Sequence, residues 1–210
     1  MIVFGNNLIS YRRFQMGLSR QSKVLSKNQI AAVCGYLRDR RNGLRNETVF
    51  LLSVKAGLRA KEIADLEWGM ILTSDGAVGK EIHLTNSASK GSNGGRVIPL
   101  HPHIRQNLME MQEEKGGKGR DRVVKSERSD AVSSQTVINM FQRWYRELGL
   151  EGCSSHSGRR TFITQCARQI STVGGSLRDV QYLAGHSSLQ TTQRYIEGDS
   201  KSRVKVVGLL

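Results

Sequence analysis

The stretch that decides how this chain is read is Leu183-Ala184-Gly185-His186-Ser187-Ser188, followed by Thr191-Thr192-Gln193-Arg194-Tyr195. Gly185 has the place of a helix C-terminus, because glycine takes up the left-handed backbone that closes a helix at no Cβ cost. That leaves His186 in a tight turn and puts Tyr195 on the next short helix. A phenol ionises near about pH 10, so Tyr195 is a poor nucleophile unless a base or neighbouring cations assist it. Upstream, His156-Ser157-Gly158-Arg159 opens another helix. Residues three apart share a helix face, so His156 and Arg159 can address one target. Ser154, Ser155 and Ser157 are candidate caps there, and a helix N-terminus favours anions. Arg160 is turned by about 100° from Arg159 and is expected to face elsewhere. Taken singly, these fragments also describe a basic helix start that binds phosphate passively and a packed tyrosine.

Working outward, Ser26 is a candidate N-cap for a helix carrying Ile30, Val33, Cys34 and Leu37 on one face, stopped by Asn42-Gly43. A second helix is expected from about Asn46. Its run Val49-Phe50-Leu51-Leu52-Ser53-Val54 is apolar nearly all round, the pattern of a helix sunk in the core. Gly57 ends it, and a short amphipathic helix follows over 61–68. Ile82-His83-Leu84-Thr85 and Arg96-Val97-Ile98 alternate like strands between turn signals at Asp75-Gly76 and Gly91–Gly95. Pro99 and Pro102 close this sheet and open a helix over 103–114. The charged, glycine-rich run 116–128 reads as an exposed loop. Helices resume over 135–148, 157–170, 177–184 and 189–196. The fold class expected is mainly α with a small antiparallel β-sheet, that is α+β. Its division is a basic extension (1–25), a catalytic domain (26–200) and a tail (201–210).

Composition narrows the function classes. Of 210 residues, 38% are hydrophobic, which suits a packed domain and argues against disorder. No apolar run reaches the roughly 18 residues of a membrane span, and no signal peptide is legible. Three cysteines, Cys34, Cys153 and Cys166, form neither an even framework nor a CxxC pair, so a cytoplasmic setting is expected. Cys153 and His156 have metal-pair spacing but lack a second pair. Lys and Arg number 32 against 18 Asp and Glu, a net charge of +14, which favours a polyanionic partner. No GxxxxGK[ST] loop is present, since Glu81 follows Gly79-Lys80. No clustered carboxylates suggest a two-metal site.

Together, His-x-x-Arg, Leu-x-Gly-His-Ser and Thr-Thr-x-x-Tyr resemble the C-terminal signature of the tyrosine recombinase, or phage integrase, family. The segment from Ala56 through Gly57-Leu58-Arg59 to Trp68 is similar to its first-arginine motif. Ser89-Lys90-Gly91 with Arg96-Val97-Ile98-Pro99-Leu100 resembles its β-hairpin lysine segment. The likeness covers about residues 25 to 200.

The resemblance implies an enzyme that needs no metal or cofactor and breaks and rejoins duplex DNA through a 3′-phosphotyrosyl intermediate. It casts Arg59 and Arg159 as the clamp on the scissile phosphate, with His156 as the histidine acting between them. His186 would hydrogen-bond the phosphate, Lys90 would protonate the leaving 5′ oxygen, and Tyr195 would be the nucleophile. Lys80 lies near the same sheet as Lys90. The likeness further implies assembly into a tetramer on DNA, with the tail docked on a neighbour, and an accessory DNA-bending or directionality protein. Many members carry a helical DNA-binding domain ahead of the catalytic one. Only about 25 residues precede the pattern here, as expected of a short member or of a fragment. Two alternatives carry different consequences: relaxation of DNA in the manner of a type IB topoisomerase, and a DNA-binding accessory protein without turnover.

Overall fold

The structure is a computed structural model, which describes residues 22–85 and 95–195 together with Gly208. Helix α1, Lys27–Arg38, begins at Ser26, whose hydroxyl accepts the Gln29 N–H while the Gln29 side chain accepts the Ser26 N–H. This reciprocal cap satisfies two N–H groups that a helix start leaves without partners. Ile30, Val33 and Leu37 form its buried face.

Helix α2, Gly43–Ala56, starts three residues before the sequence suggested. Asn42 and Gly43 launch it rather than merely ending α1. Asn42 takes a left-handed conformation (φ 57°) that turns the chain sharply. A Cβ on Gly43 would stand 2.2 Å from the Arg38 carbonyl oxygen, so only glycine lets the two helices meet this closely. Every residue from Val49 to Val54 is buried, as the all-round apolar run requires. This helix is the axis of the domain, with α1 packed along it.

Gly57 (φ 68°) ends α2, and helix α3, Ala60–Ala64, follows, then a 3₁₀ turn at Trp68–Met70. Strands β1, Glu81–Leu84, and β2, Arg96–Pro99, pair antiparallel with Ile82 opposite Ile98 and Leu84 opposite Arg96. Ile82, Leu84 and Ile98 turn inward, as alternation requires, but so does Arg96. Helix α4, Pro102–Lys115, packs on α2, and α5, Ser134–Glu147, packs on α3. Phe141 of α5 sits between Phe50 and Trp144, at ring-centroid distances of 6.4 and 5.4 Å. Trp68 and Trp144 are both core residues.

The run 116–128 is not wholly exposed. Val123 and Val124 dip into the core, and the Val123 N–H donates to the Leu66 carbonyl. Two adjacent valines outweigh the charged flanks once a backbone partner is at hand. Helices α6, Ser157–Gln169, α7, Leu177–Ala184, and α8, Leu189–Gln193, complete the described fold. α6 lies along α2, where a Cβ on Gly158 would meet Ser53 Oγ at 2.4 Å. Leu25, ahead of α1, is buried, and its N–H donates to Thr161 Oγ1 of α6. The observed class is the one expected, mainly helical with one two-stranded antiparallel sheet. Among the described residues, no helix is long and apolar enough to cross a membrane.

Candidate active site

Three helix ends build the site. α2 ends at Gly57, α7 ends at Gly185 (φ 60°), and α6 begins at His156. The ends of α2 and α7 present carbonyls with no intrahelical partner, and these attract cations. Arg159, buried on the first turn of α6, supplies one. Its Nη1 donates to Gly57 O at 2.6 Å and its Nη2 to Ala184 O. Burial, and next the Arg59 guanidinium, pull its pKa down to about 9, which leaves it charged at neutral pH.

Arg59, the N-cap residue of α3, donates from Nη1 to Glu62 Oε1 at 2.7 Å and from Nη2 to Gly185 O at 3.4 Å. Glu62 is buried and also takes a two-pronged bond from Arg96, with both distances 2.9 Å. Burial would raise the Glu62 carboxyl. The hydrogen bonds and charge of Arg96, joined by the backbone N–H and charge of Arg59, instead hold it below its ordinary value.

His186 follows Gly185, and its Nδ1 lies 3.0 Å from the buried Thr192 Oγ1 of α8. Burial, then the charges of Arg159, Arg59 and Arg96, push its pKa down to about 4, so the ring is neutral at neutral pH. Tyr195 stands in the turn just past α8, not within a helix running to 196. Its ring stacks on His186 (centroids 5.5 Å apart, planes at 24°) and packs against the small apolar cluster of Phe162, Ile163, Val180 and Ala184.

Arg59, His156, Arg159, His186 and Tyr195 line one cavity of about 290 Å³, with Ser22, Arg160 and Thr191. His156 is exposed at its rim, its N–H donating to Ser154 Oγ. Arg160 does not face away as its helical angle suggests. Its guanidinium reaches 5.4 Å from the centroid of the Tyr195 ring, because a long side chain at a helix start can bend toward an electron-rich face. Lys90 lies outside the described residues, as does the tail over 201–207. Lys80 is exposed and does not line the cavity. Among the described residues, no group of three or more His, Cys, Asp or Glu gathers to hold a metal ion.

Sequence reasoning missed Arg96, Arg160 and Thr192. Arg96 was legible in part, since an arginine on the inward register of an alternating strand is an anomaly needing a partner. Thr192 and Arg160 carry no such signal.

What the cavity can do follows from its lining: a cluster of guanidiniums, a neutral imidazole and a phenol around a space that suits a tetrahedral anion. The model of the phage integrase family matches residues 23–201. The tyrosine recombinase XerC of Xanthomonas campestris pv. campestris (strain B100) is 28% identical over 185 residues, covering 88% of this chain and 54% of that protein. The tyrosine recombinase XerA of Thermococcus kodakarensis is 25% identical over 182 residues, covering 82% and 57%. In three dimensions the chain is similar to a crystal structure of XerA recombinase (TM-score 0.69, 18% identity, covering 89% of this chain and 64% of that one). It is also similar to the XerH site-specific recombinase bound to its difH substrate (TM-score 0.65, 20% identity, 87% and 52%). The chain thus spans little more than half the length of the relatives it matches in sequence. With a family model matched over 23–201 and the fold of that family around one cationic cavity, the chain belongs to the phage integrase family.

Proposed function

We propose that this chain is the strand-cleaving part of a site-specific DNA recombinase, with duplex DNA as substrate. The observation that carries the reading is the convergence of Arg59, His156, Arg159, His186 and Tyr195, from distant parts of the sequence, on one cavity. A surplus of basic residues giving +14 supports a polyanionic substrate.

The Tyr195 oxygen gives up its phenolic proton to solvent and attacks the scissile phosphorus. A phosphorus–oxygen bond to the tyrosine forms, the bond to the 5′ oxygen breaks, and a 3′-phosphotyrosyl linkage is left. Negative charge grows on the non-bridging oxygens in the transition state, and the guanidiniums of Arg59 and Arg159, which line the cavity, receive it. Where Thr192 donates to Nδ1, the Nε2 of neutral His186 carries the hydrogen and donates to the same oxygens. His156 completes the ring of donors, and Lys90 delivers a proton to the departing 5′ oxygen. Religation runs the same steps backward with a second strand's 5′ hydroxyl, so the linkage energy is conserved. Assembly into a tetramer on DNA, with an accessory protein setting direction, belongs to the same proposal.

The test is a nicked duplex that traps the covalent state. The expected result is a protein–DNA adduct formed by the unaltered chain and absent from Tyr195→Phe. An adduct that persists in Tyr195→Phe would remove the assignment. Relaxation of supercoiled DNA of arbitrary sequence would favour the topoisomerase-like alternative, and DNA binding with no adduct would favour the accessory one.

A further inference from the structure

The carbonyls at the end of α7 are taken one each by three arginines. Leu183 O accepts from Arg96 Nε at 3.1 Å, Ala184 O from Arg159 Nη2, and Gly185 O from Arg59 Nη2 at 3.4 Å. Arg59 and Arg159 line the cavity, whereas Arg96 does not. Arg96 opens β2 with a side chain only 5% exposed, and its guanidinium is spent on Glu62, donating to both carboxylate oxygens. The same carboxylate holds Arg59 at two points, Oε2 accepting the backbone N–H at 2.8 Å and Oε1 accepting Nη1 at 2.7 Å.

One buried carboxylate therefore serves two guanidiniums, and the three side chains sum to a single positive charge. Remove Arg96 and the sum is zero. Glu62 would then direct its whole charge at Arg59, and Arg59 would have little left to offer an anion. The Gly185 backbone lies against the same guanidinium, since a Cβ there would stand 2.8 Å from Arg96 Nη1. Contact and charge thus both run from β2 to the turn that carries His186.

Resting on the recombinase reading above, we infer that Arg96 is a positioning residue of the reaction. It neutralises Glu62 so that Arg59 keeps its charge for the scissile phosphate, and it pins Leu183 so that His186 is held over the cavity. It touches no reacting atom itself.

The test compares Arg96→Met, Arg96→Lys and the double variant Arg96→Met with Glu62→Gln in the full chain. Two readouts are taken: the affinity for inorganic phosphate, followed on the Arg59 Nε–H resonance, and the single-turnover rate of adduct formation on nicked duplex. Arg96→Met should weaken phosphate binding by about tenfold and slow adduct formation by about a hundredfold, the scale of weakening the one charge-assisted contact that Arg59 offers the phosphate. The double variant restores the single positive charge and should bind phosphate within about threefold of the unaltered chain, a coupling that loss of packing alone does not produce.

Arg96→Lys leaves no unpaired buried carboxylate, so it carries the test if the Met variant does not fold. It should keep phosphate affinity within about threefold while adduct formation slows about tenfold, because a compact ammonium lacks the planar fork that reaches both carboxylate oxygens and Leu183 O from three separate nitrogens. A folded Arg96→Met with unchanged phosphate affinity would overturn the proposal. So would a double variant binding no tighter than Arg96→Met, or an Arg96→Lys variant of unchanged rate. If the unaltered chain forms no adduct, the recombinase reading fails, while the phosphate comparison still decides the role of Arg96.

Discussion

The imidazole of His186 and the phenol ring of Tyr195 lie stacked, centroids 5.5 Å apart, with eight residues of turn and helix between them. The Arg160 guanidinium lies over the tyrosine ring, and Arg159 and Arg59 hold the Ala184 and Gly185 carbonyls just ahead of His186. Anything that moves this turn moves both rings.

Acid should loosen the domain through His186. The folded ring takes its proton near pH 4, far below an unfolded histidine, so between those values the unfolded chain holds more protons and stability falls as pH falls. The contribution is complete above about pH 6.5 and gone below about pH 4. Because the ring is partly solvated, about 1 kcal/mol is expected after screening. Urea titrations of the unaltered chain and His186→Gln should show a gap that closes across this window. A gap independent of pH would contradict it.

Thr192→Val keeps the shape of α8 but removes the hydroxyl that faces His186 Nδ1 at 3.0 Å. One lost hydrogen bond of about 1 kcal/mol in orientation should slow adduct formation roughly five- to tenfold with DNA affinity unchanged. In a His186→Ala background the same change should add little, since its partner is already gone.

Arg159→Lys keeps a cation but gives up the fork between Gly57 O and Ala184 O. Adduct formation should fall by about 10³ or more, the scale found when an arginine leaves a phosphoryl-transfer site. Stability should drop by about 1 to 3 kcal/mol as two buried helix-end carbonyls lose their donors, measurable by chemical denaturation.

Gly57→Ala attacks the same junction from the backbone. The φ of 68° disfavours any Cβ, and this one would meet the Phe162 ring at 2.4 Å. A loss of about 2 to 4 kcal/mol is expected from the two penalties together. Adduct formation should also fall, because Gly57 O locates Arg159.

Duplex DNA binding should be strongly salt-sensitive. With a charge of +14 and a cavity lined by arginines, log Kd should rise with log[salt] with a slope of about 0.9 for each phosphate neutralised. A flat plot would count against a phosphate-dominated interface.

Most of the architecture is legible in the sequence, because it rests on local periodicity. The all-round apolar run at Val49–Val54 reads as a core helix, and the alternation at 82–85 and 96–98 reads as strands. Departures came where long-range packing overrode local signals. Asn42-Gly43 resembles a stop but starts α2, because its left-handed turn fits against the end of α1. Val123-Val124, in a charged run, is drawn inward by the Leu66 backbone.

The site divides along the same line. Sequence alone determined which side chains are proposed to carry chemistry, since a motif such as Leu183 to Tyr195 is contiguous and its spacing survives without a fold. Tertiary structure decided which neighbours surround those side chains. Arg96, Glu62 and Thr192 meet Arg59 and His186 only because the end of α2, the end of α7 and the first residue of β2 pack at one point. Charge neutralisation and hydrogen-bond distance depend on separation in space, and no pattern along a chain records that separation.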